Sequence, residues 1–259
     1  MLRDVTVGQY YSKDSPVHGL DPRVKIRFTI IYILLILLDR NVPLFVGMTL
    51  VFLGELALSK VPLRYMVKGS KGIFLFVIIC SAISIFTTPG TTLGKILGLT
   101  ITKEGIIKFG FLVWRMMLII FVSSLIMYTT TPTRLTDGLE KCFHLSGSVA
   151  MSITIGLRFI SVLFEELDRI MKAQESRGAC FGKGNPIKRL KTMKTVIVPL
   201  FSNSIERAEN LGEAMDARCY TGGKDRTKLM PLRYRQEDII AYVILIFITV
   251  GGIYLAIKF

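Results

Sequence analysis

Cysteine, histidine, tryptophan and acidic residues are scarce in this chain of 259 residues, which has four cysteines, two histidines and one tryptophan. Cys80, Cys142, Cys180 and Cys219 lie far apart and none forms a CxxC pair. That argues against a disulfide framework and a zinc site. His18 and His144 are isolated. No Gly-x-x-x-x-Gly-Lys-Ser/Thr occurs. Gly178…Gly182-Lys183 and Gly90…Gly94-Lys95 are each one residue short and lack the Ser/Thr, so no P-loop for ATP is present. HExxH, Gly-x-Ser-x-Gly and an acidic pair inside an apolar run are missing too. Metal hydrolases and intramembrane proteases would need one of these. Only 20% of residues are charged, 51% are hydrophobic, and the mean hydropathy is +0.51. Disordered, collagen and coiled-coil classes fail on this composition, and it is too apolar for ordinary soluble domains.

What charge there is leans one way: 33 Lys+Arg against 19 Asp+Glu give a net +14. In a membrane protein such an excess marks loops held on the cytoplasmic side and does not imply nucleic acid. A basic face drawn to the anionic lipid bilayer has the same geometry. Residues 1–25 are polar and hold Asp4, Asp14 and Asp21, so no cleavable signal peptide is expected there. Apolar runs follow at 28–38, at 42–58 broken only by Glu55, at 73–86, at 109–128 with Arg115 alone, and at 239–257. A span takes about 20 residues, with a range of roughly 17–25. The first and third runs must borrow flanking residues, helped by snorkelling of Lys25, Arg27 and Lys71. The expected fold is an all-α integral membrane protein with five transmembrane helices and long cytoplasmic amphipathic helices. Its expected parts are a membrane part at 1–128, a cytoplasmic domain at 129–235 and a last span at 236–259. Lys/Arg cluster before the first span, at 59–72 and throughout 129–235, while 39–41 and 87–105 carry few. The N-terminus and 129–235 therefore read as inside and the C-terminus as outside.

The 129–235 segment is patterned. Ile153, Leu157, Ile160, Phe164, Leu167 and Met171 repeat at helical spacing, with Arg158, Glu165, Asp168, Arg169 and Lys172 off the stripe, which predicts a long amphipathic helix. A second stripe runs Leu190, Met193, Ile197, Leu200, Ser204, Ala208, Leu211 and Met215. Pro186 suits its first turn and Pro199 should bend it. Thr131-Pro132-Thr133 reads as the cap of a shorter helix with Leu135, Leu139 and Phe143 on one side, and 178–186 reads as a loop. The two long helices end alike. Ala173, Glu175, Ser176 and Arg177 match Ala214, Asp216, Ala217 and Arg218, each number rising by 41. An Arg at a helix C-terminus favours the macrodipole and can pair with the neighbouring acid. Alternatively, small neighbours let a short tip enter a partner's groove, where the rigid guanidinium fork binds a carboxylate in bidentate fashion. Ser176-Arg177-Gly178 and Ala217-Arg218-Cys219 suit both readings.

Two charges lie within spans. Glu55 is near the end of its run with Lys60 beyond it, which predicts a snorkelling or paired residue. Arg115 lies about six residues into its run and would cost roughly 2.5–3.5 kcal/mol at mid-membrane. It reaches a surface or lines a substrate path. A transporter that holds its own substrate normally carries more intramembrane polar residues than these.

The opening Ser15-Pro16-Val17-His18-Gly19-Leu20-Asp21-Pro22-Arg23-Val24-Lys25, the two Arg tips, and the layout of spans, helical pair and last span resemble the transmembrane T component of energy-coupling factor (ECF) transporters, the EcfT/CbiQ-like family. Ser176 stands where that family has Ala and Cys219 where it has Gly, and Cys takes a left-handed cap less easily. The resemblance implies a non-catalytic coupling subunit of an ABC-type importer for vitamins or other micronutrients. Ser176, Arg177, Gly178, Ala217, Arg218 and Cys219 would bind two cytoplasmic ATPases, which themselves hold ATP and Mg. Ala173, Glu175, Ala214 and Asp216 would support the tips. A small membrane S component would carry the substrate, and the long helices would pass ATP-driven closure to it. The rival readings are a conventional ABC permease subunit, which has one coupling region per chain, and a membrane enzyme, which needs a polar cluster at one depth.

Overall fold

The computed structural model describes residues 10–258 except 12, 14, 39–41, 90, 97–98, 180, 182–185 and 223–230. The polar break at 39–41 and most of the loop at 178–186 lie outside the described residues. The elements run α1 (Pro16–Gly19), α2 (Pro22–Leu38), α3 (Val42–Ser59), α4 (Leu63–Thr87), β1 (Thr92–Ile96), β2 (Leu99–Thr102), α5 (Lys103–Thr129), α6 (Pro132–Cys142), α7 (Gly147–Ser176), α8 (Pro186–Asp216) and α9 (Gln236–Lys258). They form two compact units. One comprises 9–138 with 232–259, and the other includes Leu139–Pro231.

In the first unit the core is sequestered among α2, α3, α4 and α5. Tyr32, Ile36, Phe45, Phe52, Met66 and Val122 are its buried centre. Phe45 lies on Phe111 with ring centroids 4.3 Å apart, and Phe121 packs against both Phe52 and Phe74. The outward faces are apolar as well: Leu50, Phe76, Ile83, Ile246 and Phe247 are all exposed. A helix apolar all round lies in a large core or in lipid, and these faces meet no protein core.

Several expectations are corrected. Helix α4 begins ten residues before the apolar run, so Arg64, Lys68 and Lys71 sit on helical turns and not in a loop. Only residues 60–62 connect it to α3. Lys60 makes this possible by adopting φ 54, and the Ser59 hydroxyl accepts from the Val61 amide. Between α4 and α5 lies an antiparallel β1–β2 hairpin, which the sequence reading did not anticipate. Beside it Gly105 lets α5 approach α4 closely, since a Cβ there would stand 2.7 Å from the Ile85 carbonyl oxygen. Among the described residues, five helices are long and apolar enough to cross a membrane: α3, α4, α5, α7 and α9. The number matches expectation but the set does not. α2, with 17 residues, sits at the lower edge of the roughly 17–25 that a span takes, and α7 enters because its first half carries Arg158 as its only charge. Helix α6 begins at Pro132, inside the cap region 131–133 and ahead of the start after Thr133 that the signal suggests. Its Gly138 lies against Pro22 and Ile26 of α2, so its first turns belong with the first unit.

In the second unit α7 and α8 pack together. The Asn203 amide donates to Glu166 at 3.0 Å and Arg207 lies 3.7 Å from the same carboxylate. Ala150, Ile170 and Val196 are buried. The inner face of α8 follows Leu200, Ser204, Leu211 and Met215 as the stripe predicts, but Ala208 of that stripe is exposed. Its first half is shifted by one residue: Val196 is buried while Ile197 is 57% exposed. Val196-Ile197-Val198 is a continuous apolar run and carries no phase.

Candidate docking tips and the helix-end clasp

Both long helices end in the same backbone motif. At the end of α7 the Gly178 amide donates to the Glu175 carbonyl and the Ala179 amide to Gln174, each at 2.9 Å. At the end of α8 the Cys219 amide donates to Asp216 at 2.9 Å and the Tyr220 amide to Met215 at 3.1 Å. These are paired Schellman bonds. The left-handed residue is Gly178, φ 88, in one and Cys219, φ 58, in the other. Cys219 therefore takes the conformation its side chain disfavours. Arg177 and Arg218 occupy equivalent positions just before the reversal.

The structure thus makes Ser176, Arg177 and Gly178 geometrically equivalent to Ala217, Arg218 and Cys219. All six are exposed, and so are Ala173, Glu175, Ala214 and Asp216. The Ser176 hydroxyl is turned back to the Lys172 carbonyl at 3.0 Å and is taken up by its own helix. Among the described residues neither the Arg177 nor the Arg218 guanidinium has an ion-pair or hydrogen-bond partner. Pairing with the acid two residues earlier, one of the two sequence readings, is not what the structure has. The forks are free to meet an external carboxylate.

The N-terminal motif does different work. His18 Nε2 donates to the Tyr11 carbonyl at 2.9 Å, and its Nδ1 faces the Ser15 hydroxyl at 2.6 Å. Asp21 caps α2, accepting from the Arg23 amide at 2.9 Å and from the Arg23 guanidinium at 2.7 and 3.0 Å. Pro22, with no amide hydrogen to lose, fills the first helical position. The Arg23 guanidinium lies 3.9 Å from the Tyr234 ring centroid, and Arg27 donates to the Tyr242 hydroxyl at 2.8 Å. Lys25 is 7% exposed. Its ammonium donates to the Thr129 carbonyl at 2.9 Å, the Thr130 hydroxyl at 3.2 Å and the His18 carbonyl at 3.4 Å. Asp238, 1% exposed, accepts from the Asp21 and Arg235 amides at 2.7 Å each. The motif therefore clasps the start of α2 to the end of α5 and the start of α9. Sequence reading missed Thr129, Thr130, Tyr234, Asp238 and Tyr242. The only signal was an acidic first turn, Glu237-Asp238, which is common at helix starts.

The two intramembrane charges separate in role. Arg115 donates to the Ile36 and Leu37 carbonyls at the end of α2, so it caps a helix. Its Nε is buried without a partner. Glu55 has no ion pair with Lys60. Among the described residues it has no hydrogen-bond partner at all, and it lines a cavity among α2, α3, α5 and α9.

The family model described as CbiQ, cobalt transport protein, matches residues 13–229. Three curated relatives are each named energy-coupling factor transporter transmembrane protein EcfT. That of Acidaminococcus fermentans is 41% identical over 255 residues, covering 95% of this chain and 94% of the relative. That of Clostridium kluyveri is 40% identical over 250 residues, 93% of each. That of Thermosediminibacter oceani is 36% identical over 259 residues, 97% and 98%. Similarity of this extent reaches past the short motifs to the whole succession of helices. It identifies a multi-pass transport component and not an enzyme: the chain belongs to the EcfT/CbiQ family of transmembrane components of energy-coupling factor transporters.

Proposed function

We propose that the chain joins two cytoplasmic ABC ATPase subunits to a small membrane S component that binds the micronutrient. ATP and Mg sit in the ATPases, and this chain holds no cofactor of its own. Arg177 and Arg218 each enter a groove of one ATPase and form a bidentate pair with a carboxylate there. The carrying observation is the duplicated Schellman tip with its unpaired guanidinium. Two equivalent ends suit two equivalent partners, which is also what separates this reading from a permease with one coupling region. The exposed Ile197, Phe201 and Ile205 on α8, four residues apart, offer an apolar strip for the S component. The test is co-purification and uptake with Arg177→Ala, Arg218→Ala and the double variant. Each single change should weaken ATPase retention by about 2–5 kcal/mol, the usual loss when one member of a buried charge pair is removed. Undiminished retention and uptake in the double variant would refute the docking role.

The proposed orientation has the N-terminus and both tips inside and the C-terminus outside. It requires that one of α2 and α7, and not both, cross the bilayer; we take α2 as the span and α7 as the cytoplasmic helix, despite the apolar first half of α7. Glu165, Glu166, Asp168, Arg169 and Lys172 crowd its second half, and both tips must face the same pair of ATPases. In a cysteine-free background, Lys258→Cys should react with an impermeant thiol reagent applied to intact cells. Reaction only after permeabilisation would reverse the C-terminal assignment.

A further inference from the structure

The cavity beside Glu55 has a volume of about 400 Å³. Val24 and Phe28 of α2, Val51 of α3, Leu125 of α5 and Ile244 of α9 furnish its walls. The polar side chains that line it are Lys25, Thr29, Glu55 and Thr129. Two of these are already committed. Lys25 has its ammonium directed at three oxygens, and the Thr129 hydroxyl donates to the Leu125 carbonyl at 2.8 Å. The nearby Tyr32 hydroxyl donates to the Met48 carbonyl. Glu55 is left as a carboxyl group on an apolar wall, without a donor among the described residues. A charged carboxylate so placed is stabilised by a cation or hydrogen-bond donor from outside the chain.

Position narrows the ligand. Glu55 stands four residues, about one helical turn, before the end of α3 at Ser59. Lys25 and Thr129 line the same end of the cavity, while Phe28, Val51, Val122 and Ile248 lie about a turn or more deeper along their helices. The charged end is thus near a polar boundary and the apolar end within the span. A bare metal ion would leave the apolar part empty. A small soluble amine would match Glu55 and leave the walls unmatched. An amphiphile with a primary ammonium and a hydrocarbon tail matches both. We infer that this cavity binds a bilayer lipid with a primary-ammonium head group, its ammonium donating to Glu55 and one acyl chain lying along α2, α3 and α9.

The purified full chain in detergent is offered equimolar phosphatidylethanolamine, phosphatidylcholine and phosphatidylglycerol of one acyl composition. Bound lipid is counted by native mass spectrometry. The ethanolamine lipid should be retained about tenfold over the other two, the ratio expected of one hydrogen bond to a charged group. Glu55→Gln should bring it to the level of the choline lipid without lowering the retention of that lipid. Gly54 also lines the cavity, and a Cβ built there meets nothing within 4 Å. Gly54→Leu should therefore fill the space and reduce all three lipids together. Equal retention of the three by the unaltered chain, a preference for the glycerol lipid, or no retention overturns the inference with no variant needed. So does an ethanolamine preference that survives Glu55→Gln.

Discussion

Asp238→Ala is the sharpest probe of the clasp. Asp238 is 1% exposed and accepts two amide hydrogens at 2.7 Å, one from Asp21 at the start of α2 and one from Arg235 just before α9. The Asp238 amide in turn donates to the Arg235 carbonyl at 3.1 Å, so the side chain closes a reciprocal cap at the start of α9. Truncation strips the acceptor from a buried amide, that of Asp21, and from a part-buried one, that of Arg235. Each orphaned donor costs about 1–3 kcal/mol, and loss of the cap is one of these same two losses, not a third. The expected destabilisation is therefore about 2–6 kcal/mol. Glu237, one residue earlier and exposed, is the matched control, and Glu237→Gln should change stability by less than about 0.5 kcal/mol. Equilibrium unfolding in mixed micelles by rising SDS, followed by the fluorescence of the single tryptophan, gives both numbers on one scale. If the Asp238 variant unfolds within 0.5 kcal/mol of the Glu237 variant, the two amides find other acceptors and the clasp does not hold α9 in place.

Two further expectations concern single positions. Cys219→Gly should relieve a left-handed non-glycine residue and stabilise the α8 tip by about 1 kcal/mol, while Gly178→Ala should cost the α7 tip a similar amount. Hydrogen exchange at the Tyr220 and Ala179 amides reads the two effects, and the same sign at both tips would contradict the shared geometry. Lys25→Met keeps the stem and removes the ammonium, leaving the Thr129 carbonyl and the Thr130 hydroxyl without their donor. It should cost about 1–3 kcal/mol in the same SDS titration, and a neutral outcome would mean that water replaces the ammonium.

Much of this molecule was legible because lipid simplifies the code. A helix that must satisfy its own backbone in hydrocarbon shows as a long apolar run, so α3, α5 and α9 were found from composition alone. The twin tips were legible for another reason: backbone reversals need small or left-handed residues at fixed offsets, and those offsets recur 41 residues apart. Other features left no local trace. The start of α4 was misplaced because basic residues near a membrane boundary fit a helix as well as a loop. The β1–β2 hairpin lies in a short, weakly patterned stretch. Asp238, which accepts from Asp21, and Thr129, which accepts from Lys25, are each more than 100 residues away in sequence, and a single chain with no alignment carries no record of such pairs. Glu55 was noticed as a charge, yet its want of a partner could emerge only once its neighbours had been placed.

The reversals after Arg177 and Arg218 are closed by hydrogen bonds between main-chain atoms. Apart from the left-handed residues Gly178 and Cys219, the bonding amides and carbonyls are common to any sequence. Direction and identity are thereby uncoupled. The surrounding letters can drift, as Ser176 and Ala217 already differ, while each guanidinium keeps its bearing, so either end could be tuned to a distinct counterpart without re-engineering the rod behind it.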